Sequence, residues 1–378
     1  MNSALDPIFN SYKIKFASLD AMMQLHDIKI KKNQTVNVFI NLDSLIRSLT
    51  SNNICDVINA SDDNDFKRQL RNCISNILNL AAHYRRYFTT RQRYSRVYIY
   101  ASYPFVDLNT SNNVFISDYR KNYYANINKP SAHSLKNILT ESFKMGKIIS
   151  EYIEEVYLIT ANNMETSLIP KIIKQEFQQS DDFNIIVTKD TYEYQYVLDD
   201  YVILRPKIQD MSYAINKDNL IETVKFENKV KSKETVDASF YPFICTIMGD
   251  KNRSIHKLSG LGISKIIKLI NKSIEKGLIS ETNNDVYSFS RLIDVKNQRL
   301  FLNNFNVIDL DSQMKFLSIK DKMNVKVCIR DRFDNLGLAK INDDLFKDCP
   351  INVEDLTEGL KFKYSQVSNP FNQNNVFF

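Results

Sequence analysis

Five short runs of β-branched and aromatic residues set the strongest constraint on this chain. They are Val36-Asn37-Val38-Phe39-Ile40, Val97-Tyr98-Ile99-Tyr100-Ala101, Val156-Tyr157-Leu158-Ile159, Asn184-Ile185-Ile186-Val187-Thr188 and Val202-Ile203-Leu204. Each is short and almost wholly apolar, as a strand buried on both faces must be. Helical stretches lie between most of them. Leu70, Ile74, Ile77, Leu78, Ala81 and Ala82 repeat at helical spacing within 65–92, after the capping cluster Asp62-Asp63-Asn64-Asp65. Further helices are expected near 43–58, 134–153 and 164–178, the last with Pro170 in its first turns, whereas 107–135 is polar, Asn-rich and loop-like. Strands that alternate with helices pair in parallel through crossovers, so the expected fold is α/β. From about 217 the pattern turns mainly helical, and 378 residues are enough for more than one domain.

Composition narrows the function classes. With 43% apolar and 25% charged residues the chain can bury a core, which excludes wholesale disorder. Net charge is 50 − 44 = +6, which permits a polyanionic partner without requiring one. The five cysteines stand far apart with no CxxC pair, so reduced thiols are expected; the four histidines are scattered, which argues against zinc. No stretch reaches 18 apolar residues and no signal-peptide pattern opens the chain, so no membrane partner is expected. The abundance of Asn, Ile, Lys, Tyr and Phe fits an AT-rich genome. The expected setting is viral or bacterial: a host cytoplasm, or a virion assembled there.

Glycine is scarce, at 7 residues, yet three of them fall at Gly249, Gly260 and Gly262. Such clustering needs a backbone reason. Gly260-Leu261-Gly262 before the run Ile263–Ile270 reads as a tight turn entering a helix, where a phosphate can approach exposed N–H groups. Lys257, Lys265 and Lys268 add charge nearby. An ordinary helix–turn–helix corner fits the same residues. In parallel sheets functional groups gather beyond the carboxyl ends of the strands. There the sequence places Asn41-Leu42-Asp43-Ser44, Ser102-Tyr103-Pro104, Asn162-Asn163-Met164-Glu165 and Lys189-Asp190-Thr191-Tyr192.

These segments, in this order, resemble the flap endonuclease and 5′→3′ exonuclease family. The resemblance spans about 36–315. It implies a PIN-like, FEN-like α/β domain, a mostly parallel sheet flanked by helices, followed by a mainly helical helix–three-turn–helix module. The family's module reads roughly G-D-x-x-D-N-I-x-G-x-x-G-I-G; here Gly249-Asp250, Ile255 and Gly260-Leu261-Gly262 match. The family's fourth strand leads into D-x-D and a Gln five residues after the first Asp, as Asp190 and Gln195 do here. Asp118-Tyr119-Arg120-Lys121-Asn122-Tyr123-Tyr124 is similar to the family's arch, and Leu302–Leu310 to its closing segment. The implied organisation is an N-terminal extension at 1–34, the α/β domain at 35–215 with an arch-like part at 103–150, the module at 216–315, and a C-terminal extension and tail at 316–378.

The resemblance also implies two Mg²⁺ or Mn²⁺ ions held by a dense carboxylate set. This sequence departs from that set. Asn41, Ser102, Ser167, Leu168, Tyr192 and Arg253 stand where the family carries acids; Glu165, Asp190 and Asp250 remain, and Asp43 lies two residues beyond Asn41. An Arg at a metal-ligand position repels a cation, and it can instead pair with Asp190 or Asp250. The leading expectation is therefore a DNA-binding or assembly subunit with a degenerate centre and no cofactor. It would bind branched or single-stranded DNA through Arg120, Lys121, Lys257, Gly260, Gly262, Lys265, Arg85 and Arg86. Two alternatives stay open. One is a divergent Mg²⁺- or Mn²⁺-dependent 5′ nuclease using Asp43, Glu165, Asp190 and Asp250. The other is a structural subunit that reuses the fold without nucleic acid. The stretch Tyr84–Arg96 either lines a nucleic-acid groove or ends a helix in solvent. Protein partners would dock on the N-terminal extension or the tail.

Overall fold

The computed structural model describes residues 29–31, 34–45, 93–102, 111–119, 155–160, 164–178, 181–205, 213–251, 253–282 and 285–325, with isolated helical positions between 81 and 88. All five expected strands are present: β1 (Val36–Asn41), β2 (Ser95–Ala101), β3 (Val156–Thr160), β4 (Phe183–Val187) and β5 (Val202–Arg205). A sixth, β6 (Tyr213–Ile215), pairs antiparallel with β5; at three residues it is too short to announce itself by period. The sheet order is β3-β2-β1-β4-β5-β6, and every pairing before the last is parallel. β1 is buried along its whole length, as a central strand covered on both faces must be.

The order reverses between β1 and β4. Chain connections leave these two strands in opposite directions, so a crevice opens beyond their carboxyl ends. Asn41 closes β1 there, and Thr188, Lys189 and Asp190 follow β4. The sheet is held in register by an aromatic row across three strands. Phe39 stacks on Tyr98 at 5.0 Å between ring centroids, and Tyr98 on Tyr157 at 5.1 Å. These are also the paired residues of the ladders, so register and stacking enforce each other.

Helix α1 (Ile169–Phe177) follows a 3₁₀ turn at Thr166–Leu168. Pro170 falls in its first turn, where the missing N–H costs nothing, so the proline starts this helix rather than interrupting it. The remaining helices are α2 (Leu220–Glu227), α3 (Tyr241–Met248), α4 (Ile263–Glu275), α5 (Val286–Ser290), α6 (Val295–Ile308) and α7 (Leu310–Phe316). Among the described residues the C-terminal region is thus helical, as expected from 217 onward. Its core is aromatic: Phe243 lies 4.4 Å from Phe289 and 5.3 Å from Phe305. The helices expected at 43–58, 65–92 and 134–153 fall mostly outside the described residues. No described helix is long and apolar enough to cross a membrane.

Gln195 joins the two parts. Its Nε2 donates to the carbonyl of Ile308 at 2.9 Å and to that of Tyr192 at 3.1 Å, while its Oε1 accepts from Leu310 N–H at 3.4 Å. The residue is buried, so these bonds satisfy it where water cannot. Because Phe243 sits at the centre of the helical core, Phe243→Ala is expected to cost about 3–5 kcal/mol in denaturant unfolding. A loss under about 1 kcal/mol would mean that the aromatic stack does not hold this region.

Candidate functional site

Beyond the crevice, a hairpin from the helical region reaches back to the sheet. Asp250 and Ile255 form an antiparallel bridge, with Asp250 N–H donating to Ile255 O at 2.9 Å and Ile255 N–H to Asp250 O at 2.8 Å. Gly249 makes the entry possible. Its φ is +64°, and a Cβ there would lie 2.6 Å from the Ile255 carbonyl oxygen. The hairpin presents Arg253, which is 8% exposed, to the carboxyl ends of the strands.

Arg253 is enclosed by the three carboxylates that the sequence retained. Its Nη1 donates to Asp250 Oδ2 at 2.9 Å, its Nη2 to Asp190 Oδ2, and its Nε stands 3.9 Å from Glu165 Oε2. Asp250 also accepts from the Arg253 main-chain N–H at 3.3 Å, and Asp190 from Tyr192 N–H at 3.0 Å. Beneath the guanidinium lies Tyr192, with Arg253 Cζ 4.0 Å from the ring centroid. Burial works against the charge on Arg253, but Asp190, Tyr119, Glu165 and Asp250 outweigh it and hold the guanidinium well above its ordinary pKa. The formal charges are −3 from the acids and +1 from Arg253.

A second polar layer lies below. Glu193 is fully buried and accepts from Tyr100 Oη at 2.6 Å, while its Oε2 has no hydrogen-bond partner. Burial, and after it the nearby Asp190, push its carboxyl up to about 8, although polar neighbours, Tyr100 among them, pull the other way. Burial thus favours the protonated, uncharged form of this group. Sequence reading missed Glu193. Its signal was its place three residues after Asp190, in what proves to be a 3₁₀ helix at Thr191–Asp199, where residues three apart share a face.

The other expected site residues have these places. The Asp43 carboxylate lies on Ser102, accepting from its hydroxyl at 2.6 Å and its N–H at 3.0 Å, so it ties the ends of β1 and β2 together. Asn41 Oδ1 accepts from Ser44 N–H at 3.0 Å. Ser167 is buried and its carbonyl accepts from Tyr196 Oη, while Leu168 joins the apolar core. Lys257, Lys265 and Lys268 are exposed on and before α4. Lys265 Nζ donates to Gly260 O at 3.2 Å, Gly260 takes φ +78°, and Gly262 caps α4 without any side-chain bond. Arg85 donates to the carbonyl of Ser95, and Arg93 Nη2 to that of Ile30 at 2.8 Å, which fastens this basic stretch to backbone. Tyr84 is buried. Arg86, Arg120 and Lys121 lie outside the described residues. Cys245 is a free thiol, raised to about 12 by burial and so unfit as a nucleophile.

No family model and no curated protein matches this chain. Solved structures do. A zinc-bound 5′-exonuclease of phage T5 superposes with a TM-score of 0.50 at 12% identity, covering 79% of this chain and 98% of that one. A complex of a T5 flap endonuclease pseudo-enzyme with product DNA and metal ions gives 0.49 at 12% identity over the same shares, 79% and 98%. A T5 protein co-crystallised with metal ions gives 0.49 at 13% identity. The fold of this chain is FEN-like. The zinc named for the first of these neighbours invites a test of the donor set here, and it does not fit a pair of divalent ions. No group of three or more His, Cys, Asp or Glu poised around a cation occurs among the described residues, and a guanidinium lies between the acids that would supply the oxygens.

Two outcomes follow. Arg253→Ala leaves three carboxylates facing one another in a buried space and is expected to cost about 3–5 kcal/mol by denaturant unfolding. Glu193 titrates at an ordinary value of 4.5 when unfolded and near 8 when folded. The folded state then holds a proton that the unfolded state has released, so stability falls as pH rises across this window. In Glu193→Gln that slope is expected to flatten; an unchanged profile would show that Glu193 does not titrate there.

Proposed function

We propose that this protein binds nucleic acid through its FEN-like scaffold and does not cleave it. One observation carries the reading: Arg253 occupies the space between Glu165, Asp190 and Asp250. A guanidinium balances carboxylate charge but has no open coordination position. It neither lowers the pKa of a bound water nor polarises a phosphoryl oxygen as a metal ion does. The cage works instead as a clamp. It fastens the 250–255 hairpin of the helical region to β4 and to the turn before α1.

Binding needs cations and backbone donors rather than acids. Lys257, Lys265 and Lys268 are exposed beside the uncapped start of α4, whose first turn carries no acidic residue. Phosphates fit such a surface. The helical region from 216 to 315 is read as the helix–three-turn–helix module, with branched or single-stranded DNA as its ligand. A replication or packaging assembly of a virus is the setting this reading favours, with the terminal segments as protein-docking elements.

The test is a gel with 5′-labelled flap DNA and stoichiometric protein in EDTA, Mg²⁺ or Mn²⁺. The expected result is a shifted band, no cleavage in any lane, and affinity that falls with salt at a log–log slope of about −0.9 per phosphate neutralised. Metal-dependent cleavage that vanishes in Asp190→Ala would establish a nuclease. The absence of any shift would leave the fold as a scaffold without nucleic acid.

A further inference from the structure

The last described stretch of the chain turns an apolar face outward. Beyond α7, residues 319–325 are helical. Ser318 opens them: its Oγ accepts from Asp321 N–H at 3.1 Å and donates to Asp321 Oδ2 at 2.6 Å. Leu317 and Val325 are buried and hold the stretch to the core. Its outer face carries Ile319, 81% exposed, and Met323, also exposed. Four residues apart on a helix, these two are surface neighbours.

A second segment extends this face. Asn112 Nδ2 donates to Gln313 Oε1 at 3.0 Å in a buried bond, and the Phe115 ring meets the Phe316 ring edge to face at 4.8 Å. These contacts fix 111–119 against α7. Phe316 nevertheless stays half exposed, and Val114, next to Phe115 in the chain, is 83% exposed. Apolar side chains scattered singly over a surface need no explanation; a group of them on a firm base marks a place for another molecule.

The charges around the face say which kind. Lys320 and Lys322 fall on either side of the Ile319–Met323 pair at 3.6 residues per turn, and Lys315 is exposed beside Phe316. None of the three enters an ion pair among the described residues. Asp321 points to the back of the same turn and is held by Ser318, while Asp311 is held by Lys171 at 2.6 Å. Asp118, at the far end of the other segment, is the remaining exposed acid. Apolar in the middle and basic at the rim, the face matches apolar side chains flanked by carboxylates. Ile319, Met323 and Val114 have no flat ring for a base to stack on, which favours protein over nucleic acid.

We propose that this face docks an acidic amphipathic helix of a protein partner, whose apolar ridge lies on Ile319, Met323 and Phe316 and whose Asp and Glu side chains meet Lys315, Lys320 and Lys322. This rests on the reading of the C-terminal extension as a protein-docking element and is independent of nucleic-acid binding.

Fluorescence polarisation on the full chain would use three labelled helical peptides of about 15 residues. One carries Leu at positions i, i+3, i+4 and i+7 with Glu on both flanks; the second has Lys for each Glu; the third has Ala for each Leu. The acidic Leu peptide is expected to bind about tenfold tighter than either of the others, or better. Ile319→Asp, at an exposed position, should weaken it about tenfold or more. Lys320→Glu should weaken the acidic peptide and strengthen the basic one, a reversal that a purely apolar contact does not give. The flap-DNA shift should be unchanged in both variants. Failure of the acidic peptide to bind, or binding indifferent to peptide charge or to Ile319→Asp, would overturn the docking proposal and leave nucleic-acid binding intact. A wild-type dimer in sedimentation that Ile319→Asp dissolves would assign the face to a second copy of this chain, and loss of the DNA shift in Ile319→Asp would assign it to nucleic acid; either overturns the proposal. Peptide binding without any DNA shift in the wild-type protein would overturn the nucleic-acid reading alone.

Discussion

Three carboxylates brought together in a buried space repel one another by several kcal/mol unless a cation lies among them. In this protein the cation is part of the chain. Arg253 meets Asp190 and Asp250 through separate nitrogens and rests on the face of Tyr192. These partners come from different places in the fold: the end of β4, the turn before α1, and a hairpin after α3. The pairings therefore do more than balance charge; they fix how the helical region meets the sheet. Gln195 and Tyr241 reinforce the same junction, the latter by donating to Thr191 O at 2.7 Å.

The hairpin that carries Arg253 shows how local backbone chemistry serves this junction. Gly249 must adopt a positive φ and pass close to the Ile255 carbonyl, so no larger residue fits. Asn304, buried on α6, donates to His256 O at 2.8 Å and to Thr246 O at 3.2 Å, holding the hairpin's exit against α3. Asp309 then caps α7 by accepting from Ser312 N–H at 2.7 Å. Asn304 and Asp309 both belong to the closing segment recognised in the sequence. Their roles are hydrogen bonds that position backbone.

Much of the sheet could be read from sequence, because strands buried on both faces leave a compact run of Val, Ile, Tyr and Phe with no alternation to confuse. β6 was not legible. It is three residues long and owes its place to pairing with β5 rather than to its own composition. The 3₁₀ helix Thr191–Asp199 was hidden for a different reason. It has three tyrosines and two acids in its nine residues, and no 3.6-residue period separates its faces. The resemblance set Arg253 at a position where the family carries an acid, and charge offered Asp190 or Asp250 as its partner; the structure pairs it with both. That Asp43 turns to Ser102 was not visible, since the hydroxyl and N–H it accepts from come from a strand end 59 residues away.

A side-chain cation and a bound metal ion differ in what they let a carboxylate centre do. A bound metal is exchangeable, brings its own water, and concentrates charge at a point. Arg253 is tethered, spreads its charge over a plane, and offers only donors. Burial pushes the Glu193 carboxyl beneath it up, so that group adds little to the negative charge that Arg253 faces. Under the proposed reading the cost falls on chemistry and the benefit on permanence: the junction between sheet and helical region no longer depends on divalent ion concentration. Under the same reading, nucleic-acid affinity rests on the exposed lysines of α4 rather than on the carboxylates of the cage.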